Sequence, residues 1–317
     1  MKTQILKSCS ILVLVLNLSI LGAQKKSQHK ELIIGSSIHI ETNDGNDFIG
    51  TLLINDSILV RIKTEKLGEL SFNKIDIKVI ESIQEIQVHS GAYWYENPNA
   101  GRYLFAPSAY NLREGEGYYQ NIWVFMNQVS YGFTDHFTCG LGIVPLFLFG
   151  RESAQYSPMW VTPKFLIGNG KRKFNFSVGA IAFFVPFGGD ETRGTAGILY
   201  GLGTYGNRNN NLSIGLGWGF ARSQGDGLWG KRPTINISGM YRLSKSSYLV
   251  TENWFTAFGE GDFVSNVNVI SGAYRYAGKH ASIDLGLFSP IANENEGFFA
   301  LPWLGVTLPF GKSLTKK

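Results

Sequence analysis

The sequence predicts an all-β protein: a transmembrane antiparallel β-barrel of about 12 strands, preceded by a small β-domain. Three observations predict it. Asn211–Phe220 sets Leu212, Ile214, Leu216, Trp218 and Phe220 on one face and Ser213, Gly215, Gly217 and Gly219 on the other. That is a period-two strand whose apolar side suits lipid and whose bare side suits a crowded lumen. Charged residues are only 17% of the 317, while glycine (38 residues) and aromatic side chains (14%) are abundant; an ordinary soluble chain carries about 25% charge. Beyond the N-terminus no stretch approaches the ~20 apolar residues of a spanning helix, so a membrane crossing has to be built from strands.

Residues 1–23 read as a secretory signal peptide, with Lys2 and Lys7 as the positive region, Ile11–Leu21 as the apolar region and Gly22-Ala23 as the small residues for cleavage. Cys9 belongs to that segment, which leaves Cys139 as a lone packing residue without an internal disulfide partner. The net charge of +5 receives little weight, because much of it lies in the signal segment and in the basic tail 312–317. No dense basic patch interleaved with rings occurs, which argues against nucleic acid as a partner.

Residues 31–90 form a small domain of some five short strands. Ile38-His39-Ile40 alternates, Asn43–Asp47 turns, and Phe48–Leu53, Ile58–Lys63, Leu70–Phe72 and Ile75–Ile83 supply the rest. An apolar strand, an Asp-Gly turn, Phe48-Ile-Gly-Thr-Leu52 and two further strands resemble an Sm-like small barrel. Sm-like domains are known for binding RNA, but behind a secretion signal that function does not follow from the fold. The expected role is a periplasmic module that meets a periplasmic protein partner or caps the barrel. Residues 91–101, rich in rings and turn formers, are expected to be a linker.

The barrel is expected over residues 102–311. Strands are expected to start near Tyr103, Gln120, Phe137, Met159, Lys173, Ala196, Leu212, Pro233, Tyr248, Val264, Ala281 and Ala300. Connections alternate in length. Thr134–His136, Asn169–Lys171, Gly206–Asn210, Ser244–Ser246 and Ala277–Lys279 are short, whereas Tyr110–Gly117, Gly150–Ser157, Gly188–Arg193, Arg222–Arg232, Gly259–Phe263 and Pro290–Gly297 are longer. Short periplasmic turns, longer outer loops and an even strand number are the pattern of bacterial outer-membrane barrels. Tyr119, Trp123, Tyr131, Phe133, Trp160, Tyr205, Trp218, Tyr241, Tyr248, Trp254, Tyr276 and Trp303 fall near strand ends and read as interfacial belts.

Little in the chain points to chemistry. Gly201-Leu-Gly203-Thr-Tyr-Gly206 matches a dinucleotide motif but lies in a strand that another strand follows, so no cofactor is expected. His29, His39, His89, His136 and His280 fall in the small domain or at short turns, none beside a nucleophile on an outer loop, and no His/Cys pair has metal-ligand spacing. Asp190, Glu191, Glu260 and Asp262 read as solvated loop charges, with a carboxylate-only site as the alternative. Glu114, Glu116, Glu152, Asp226, Glu294 and Glu296 also read as solvated loop charges. No catalytic residue, metal site or enzymatic activity is expected. Lys164, Glu252, Arg275 and Asp284 fall within strands, where facing lipid is costly, and are the candidates for lining the lumen or a pore, either as a salt-bridge network that plugs a narrow barrel or as a charged constriction in a channel. Arg242 and Arg275, near strand ends, could instead reach the periplasmic boundary. Adjacent Glu252 and Asn253 suggest a bulge or register break.

Taken together, the secretion signal, the Sm-like segment, Asn97-Pro-Asn-Ala-Gly-Arg-Tyr-Leu-Phe-Ala-Pro-Ser-Ala109 and Gly115-Glu-Gly-Tyr-Tyr-Gln-Asn121 resemble Bacteroidetes-type outer-membrane β-barrel proteins with an N-terminal Sm-like module. The resemblance covers nearly the whole mature chain. It implies location in the cell outer membrane, with lipid as the surrounding partner, and brings no activity. One departure is that Phe310 is followed by Gly-Lys-Ser-Leu-Thr-Lys-Lys317, where such barrels often finish on an aromatic residue.

Overall fold

The computed structural model describes residues 32–82, 88–89, 92–150, 156–186, 193–223, 226–230, 232–258, 265–278, 280–291 and 299–311. The expected signal segment, the basic tail and the acids at 152, 190, 191, 260, 262, 294 and 296 lie outside them. The chain divides into two compact units at Glu85 and Ile86.

The first unit is one five-stranded antiparallel sheet: β1 (Ser37–Thr42), β2 (Asp47–Asn55), β3 (Leu59–Thr64), β4 (Gly68–Asn73) and β5 (Ile77–Ser82). Its order is β4-β3-β2-β1-β5. Alternation puts Ile38 and Ile40 of β1, Leu52 of β2 and Val60 and Ile62 of β3 into one fully buried cluster, closed by Phe48, Leu70, Phe72 and Ile80. The turns follow from side chains that bond their own backbone. Asp56 Oδ1 accepts the N–H groups of Ile58 (2.8 Å) and Leu59 (2.7 Å), which closes the β2–β3 hairpin. His39 is buried on the opposite face of β1, its ring nitrogens 2.8 Å from Asp47 and 3.2 Å from Glu81.

The second unit begins with the two-residue strands β6 (Val88–His89) and β7 (Ala92–Tyr93), which pair with each other. Twelve long strands then form a closed barrel: β8 (Glu116–Ile122), β9 (Met126–Thr134), β10 (Phe137–Ile143), β11 (Met159–Ile167), β12 (Phe174–Pro186), β13 (Arg193–Gly206), β14 (Asn211–Ser223), β16 (Thr234–Arg242), β17 (Ser247–Phe258), β18 (Ser265–Ala277), β19 (Ser282–Ile291) and β20 (Leu301–Gly311). A short β15 (Asp226–Trp229) folds back on β14. Every neighbour is antiparallel, and β8 pairs with β20, from Gly305↔Ile122 to Gly311↔Glu116, so the ring of twelve strands closes on itself. Closure satisfies the ladder without water, the condition for strands in lipid.

The expected alternation holds. Leu212, Ile214, Leu216 and Trp218 of β14 point outward and are exposed, while Ser213 and Asn211 are buried inside. Tyr131, Phe133, Tyr205, Trp218, Tyr241 and Tyr276 also point outward. Near the short turns, Phe133, Phe137 and Phe165 stack on neighbouring strands with ring centroids 5.7 and 4.5 Å apart. Trp160 and Tyr248 depart from the belt and are buried inside the barrel, and Trp254 and Trp303 pack against the luminal cluster. Gly142 is what allows the inward Trp160, because the indole lies where a Cβ would be, 1.9 Å from its built position. Proximity to a strand end does not separate the two faces.

Ten of the twelve expected strand starts agree with the fold; the first two do not. Tyr103 is not in a barrel strand, and the segment around Gln120 is two strands, β8 and β9, joined by the three residues 123–125. Consequently residues 110–117 are not an outer loop. Glu114 N–H bonds Asp135 in the short β9–β10 turn, so Glu114 and Glu116 lie at the turn end. The expected bulge at Glu252-Asn253 is absent too. The register of β17 on β16 and on β18 is continuous, and the ladder pairs of Glu252 and Asn253 to β18 are replaced by side-chain bonds. Ser271 Oγ donates to Glu252 O, and Asn253 Oδ1 accepts Ser271 N–H.

Candidate functional site

Residues 94–113 form an arm inside the barrel. The arm enters at the turn end, where Asn97 bonds Arg208 O in the β13–β14 turn (2.8 Å), and it returns there, where Arg113 pairs with Glu96. Between these points the chain reverses at the Arg102↔Pro107 bridge. Tyr103, Leu104 and Ala106 are buried against Met240, Tyr248, Val250, Ala273 and Ala277 of the wall. The expected linker 91–101 therefore runs largely into the lumen, with Asn97, Asn99 and Ala100 buried. Rings and small residues in this segment follow from packing inside a narrow tube.

All four candidate residues face inward and are buried: Lys164 is 5% exposed, Glu252 6%, Arg275 0% and Asp284 1%. Each is committed to the arm or to a charge that holds it. Lys164 Nζ donates to three arm carbonyls, of Gly101 (2.9 Å), Ser108 (2.9 Å) and Tyr110 (2.7 Å), which uses all three of its protons. Glu252 Oε2 accepts the consecutive N–H groups of Leu104 (2.9 Å), Phe105 (2.7 Å) and Ala106 (2.7 Å) at the arm's tip. Its Oε1 accepts Trp254 Nε1–H at 2.8 Å. Arg275 forks onto Asp284 at 2.5 and 2.9 Å and also donates to Tyr103 O at 2.5 Å. Arg275 stays inside the barrel, whereas Arg242 reaches the turn end, where it donates to Ser244 O (3.0 Å) and Lys245 O (2.5 Å) of the β16–β17 turn. Arg242 lies over the rings of Trp94, Tyr95 and Tyr248, 4.9 to 5.7 Å from their centroids.

Sequence reasoning missed the arm's own Arg102. It is buried, bonds the carbonyls of Tyr103 (2.8 Å) and Leu104 (3.0 Å), lies 3.6 Å from Asp284, and donates to Thr307 of β20. Polar wall residues complete the seat: Tyr103 Oη meets Asn211 (2.7 Å) and Ser213 (2.6 Å), Gln120 meets Leu104 O (2.9 Å), and Thr204 accepts Ala109 N–H (2.8 Å). An Arg next to apolar residues at the head of a presumed strand was the available signal. Beside the arm remains a cavity of about 40 Å³, lined by Arg102, Phe105, Ser130, Thr162, Lys164 and Tyr200. That space holds a few waters and is far below the ~300 Å³ of a small-molecule site.

Gly201–Gly206 lies in β13, which a hairpin joins to β14, so the phosphate-binding helix is missing. Among the described residues no group of three or more His, Cys, Asp or Glu is placed to hold a metal ion.

No family model matches the sequence, and no curated protein matches it. Among solved structures, the chain is similar to the NanC porin, at 8% identity over 61% of this chain and 98% of that one, with a TM-score of 0.39. It is similar to the outer-membrane OmpT of Vibrio cholerae, at 9% identity over 87% and 95%, with a TM-score of 0.38. It is also similar to the translocator domain of the autotransporter NalP from Neisseria meningitidis, at 10% identity over 62% and 87%, with a TM-score of 0.34.

Proposed function

We propose that this chain is an outer-membrane β-barrel whose lumen is closed by its own arm, a structural membrane protein that anchors the N-terminal module in the periplasm. The observation that carries the reading is the arm's seat: Lys164 and Glu252, from opposite sides, each bind three backbone groups of residues 101–110. Buried charges are tolerated only when paired or fully hydrogen-bonded, so these side chains hold the arm in place and are not free to guide a permeant ion. The outward apolar belt supports the membrane location, and the five short turns support a periplasmic turn end. The order β4-β3-β2-β1-β5 supports an Sm-like reading of the module, with a periplasmic protein as its partner.

The reading is non-enzymatic. Glu252 is buried with Oε2 taken by three arm N–H groups and Oε1 by the Trp254 indole, so its carboxylate is committed to seating the arm. Planar-bilayer recording of the refolded protein tests the closed lumen. Wild type is expected to be silent, and replacement of residues 98–109 by a glycine-serine linker to give steady conductance. Equal, steady conductance from both proteins would overturn the closed-lumen reading. A pull-down on residues 31–90 that returned no envelope protein would remove the adapter role and leave the anchor.

A further inference from the structure

The barrel's outer wall carries a second built feature at the turn end. Ile167 at the end of β11 and Phe174 and Phe176 at the start of β12 all point outward and are exposed, with the two rings edge-on at 4.7 Å. Together with His136, Asn169 and Arg172 they line a cleft of about 480 Å³ beneath the β11–β12 turn. The turn presents Lys171, Arg172 and Lys173 consecutively, all exposed, and none of the three side chains has an ion pair among the described residues. Its backbone is nonetheless fixed. Gly168 (φ 92°) and Gly170 (φ 66°) adopt the left-handed conformation that a tight turn needs. Asn169 Oδ1 accepts Lys171 N–H (3.1 Å), Asn175 donates to Arg172 O (2.6 Å), and Gly206 N–H bonds Lys173 O (2.7 Å). Asp135, next to His136, is engaged by the N–H of Glu114.

We infer that this cleft binds one anionic glycerophospholipid of the periplasm-facing leaflet, its phosphate at Lys171, Arg172 and Lys173 and an acyl chain along Ile167, Phe174 and Phe176. The inference rests on the membrane reading above. Arg172 lines the cleft together with its apolar, ring-bearing floor, Lys171 and Lys173 flank it on the same turn, and cation and floor match the two ends of one lipid. A soluble polyanion would leave the floor uncovered, and a zwitterionic lipid would leave the triple positive charge without a counterpart. Each basic side chain near an anionic surface is worth about a fivefold change in binding.

The test is native mass spectrometry of the full chain, refolded in dodecylmaltoside and titrated with dioleoylphosphatidylglycerol or dioleoylphosphatidylcholine. Wild type is expected to retain one phosphatidylglycerol saturably, and K171Q/R172Q/K173Q to bind it roughly 100-fold more weakly. Lys245→Gln, on another turn, is expected to bind like wild type. Should the triple variant lose its heat-modifiable gel band, Arg172→Gln alone carries the test, with about a fivefold loss. Equal retention of phosphatidylcholine, undiminished binding in the folded variants, or displacement by glycerol 3-phosphate as effective as by the lipid would overturn the proposal. A wild type that conducts but holds the lipid would refute only the closed lumen, and a protein recovered without detergent as a soluble species would remove both.

Discussion

Glu252 offers the sharpest test of what holds the arm. Its two carboxylate oxygens take four buried donors: the N–H groups of Leu104, Phe105 and Ala106 and the indole of Trp254. In Glu252→Ala all four lose their acceptor. An orphaned buried donor costs about 1–3 kcal/mol. Removing the carboxylate also relieves its own burial, and water entering the space it vacates recovers part of the loss. The low end is therefore appropriate, about 4 kcal/mol in all, which raises the undocked fraction of the arm roughly 1000-fold. Glu252→Gln keeps one oxygen for the three backbone donors but loses the charge and turns an amide N–H toward Trp254, for about 2 kcal/mol. The readout is maleimide labelling of Ala109→Cys, a fully buried arm position, in a chain whose Cys139 is replaced by serine, together with bilayer conductance. Labelling and channel openings are expected to rise in the order wild type, Gln, Ala. If Glu252→Ala stays as protected and as silent as wild type, the carboxylate does not hold the arm and the reasoning fails.

Three further outcomes follow from the same geometry. Leu216→Arg puts a charge on the outward belt of β14; it should cost about 2–4 kcal/mol and reduce the heat-modifiable yield on refolding into phosphatidylcholine vesicles, whereas an unchanged yield would contradict outward contact with lipid. Asp284→Asn leaves the buried Arg275 and Arg102 without their carboxylate and should destabilise the barrel by about 3–5 kcal/mol in urea unfolding, while R275M/D284L should recover most of that loss; a double variant as unstable as the single one would show that the pair is not the cause. Asp56 has its carboxyl held below the usual range by the N–H groups of Leu59 and Ile58. A depressed folded-state value means that its stabilisation is present above the unfolded pKa and is lost as pH falls through the folded one. Hydrogen-exchange protection over residues 37–82 of the full chain, taken relative to the intrinsic exchange rate at each pH, should therefore fall below about pH 4, and Asp56→Asn should flatten that acid response.

Strand identity and facing were readable along β10 to β20 because a strand between bilayer and lumen is patterned residue by residue. Leu212, Ile214 and Leu216 meet lipid while Ser213 and Gly215 meet the interior, and no distant partner is needed to say so. The same logic marked Lys164, Glu252, Arg275 and Asp284 as charges that lipid would penalise. It could not say what they bind. Arg102-Tyr-Leu-Phe-Ala106 is as apolar as a lipid-facing strand, and Trp160, Trp254 and Trp303 occur near strand ends like belt residues. Which side of the wall such residues occupy depends on neighbours distant in sequence: a glycine opposite an indole, or a carboxylate on β17 aimed at three N–H groups of residues 104–106. By itself, the order of amino acids determined that the chain would build a closed ring of alternating strands, since periodicity is a local property. Only tertiary structure decided that the ring is filled by the chain's own arm, because the bonds that seat residues 94–113 join groups up to 205 positions apart.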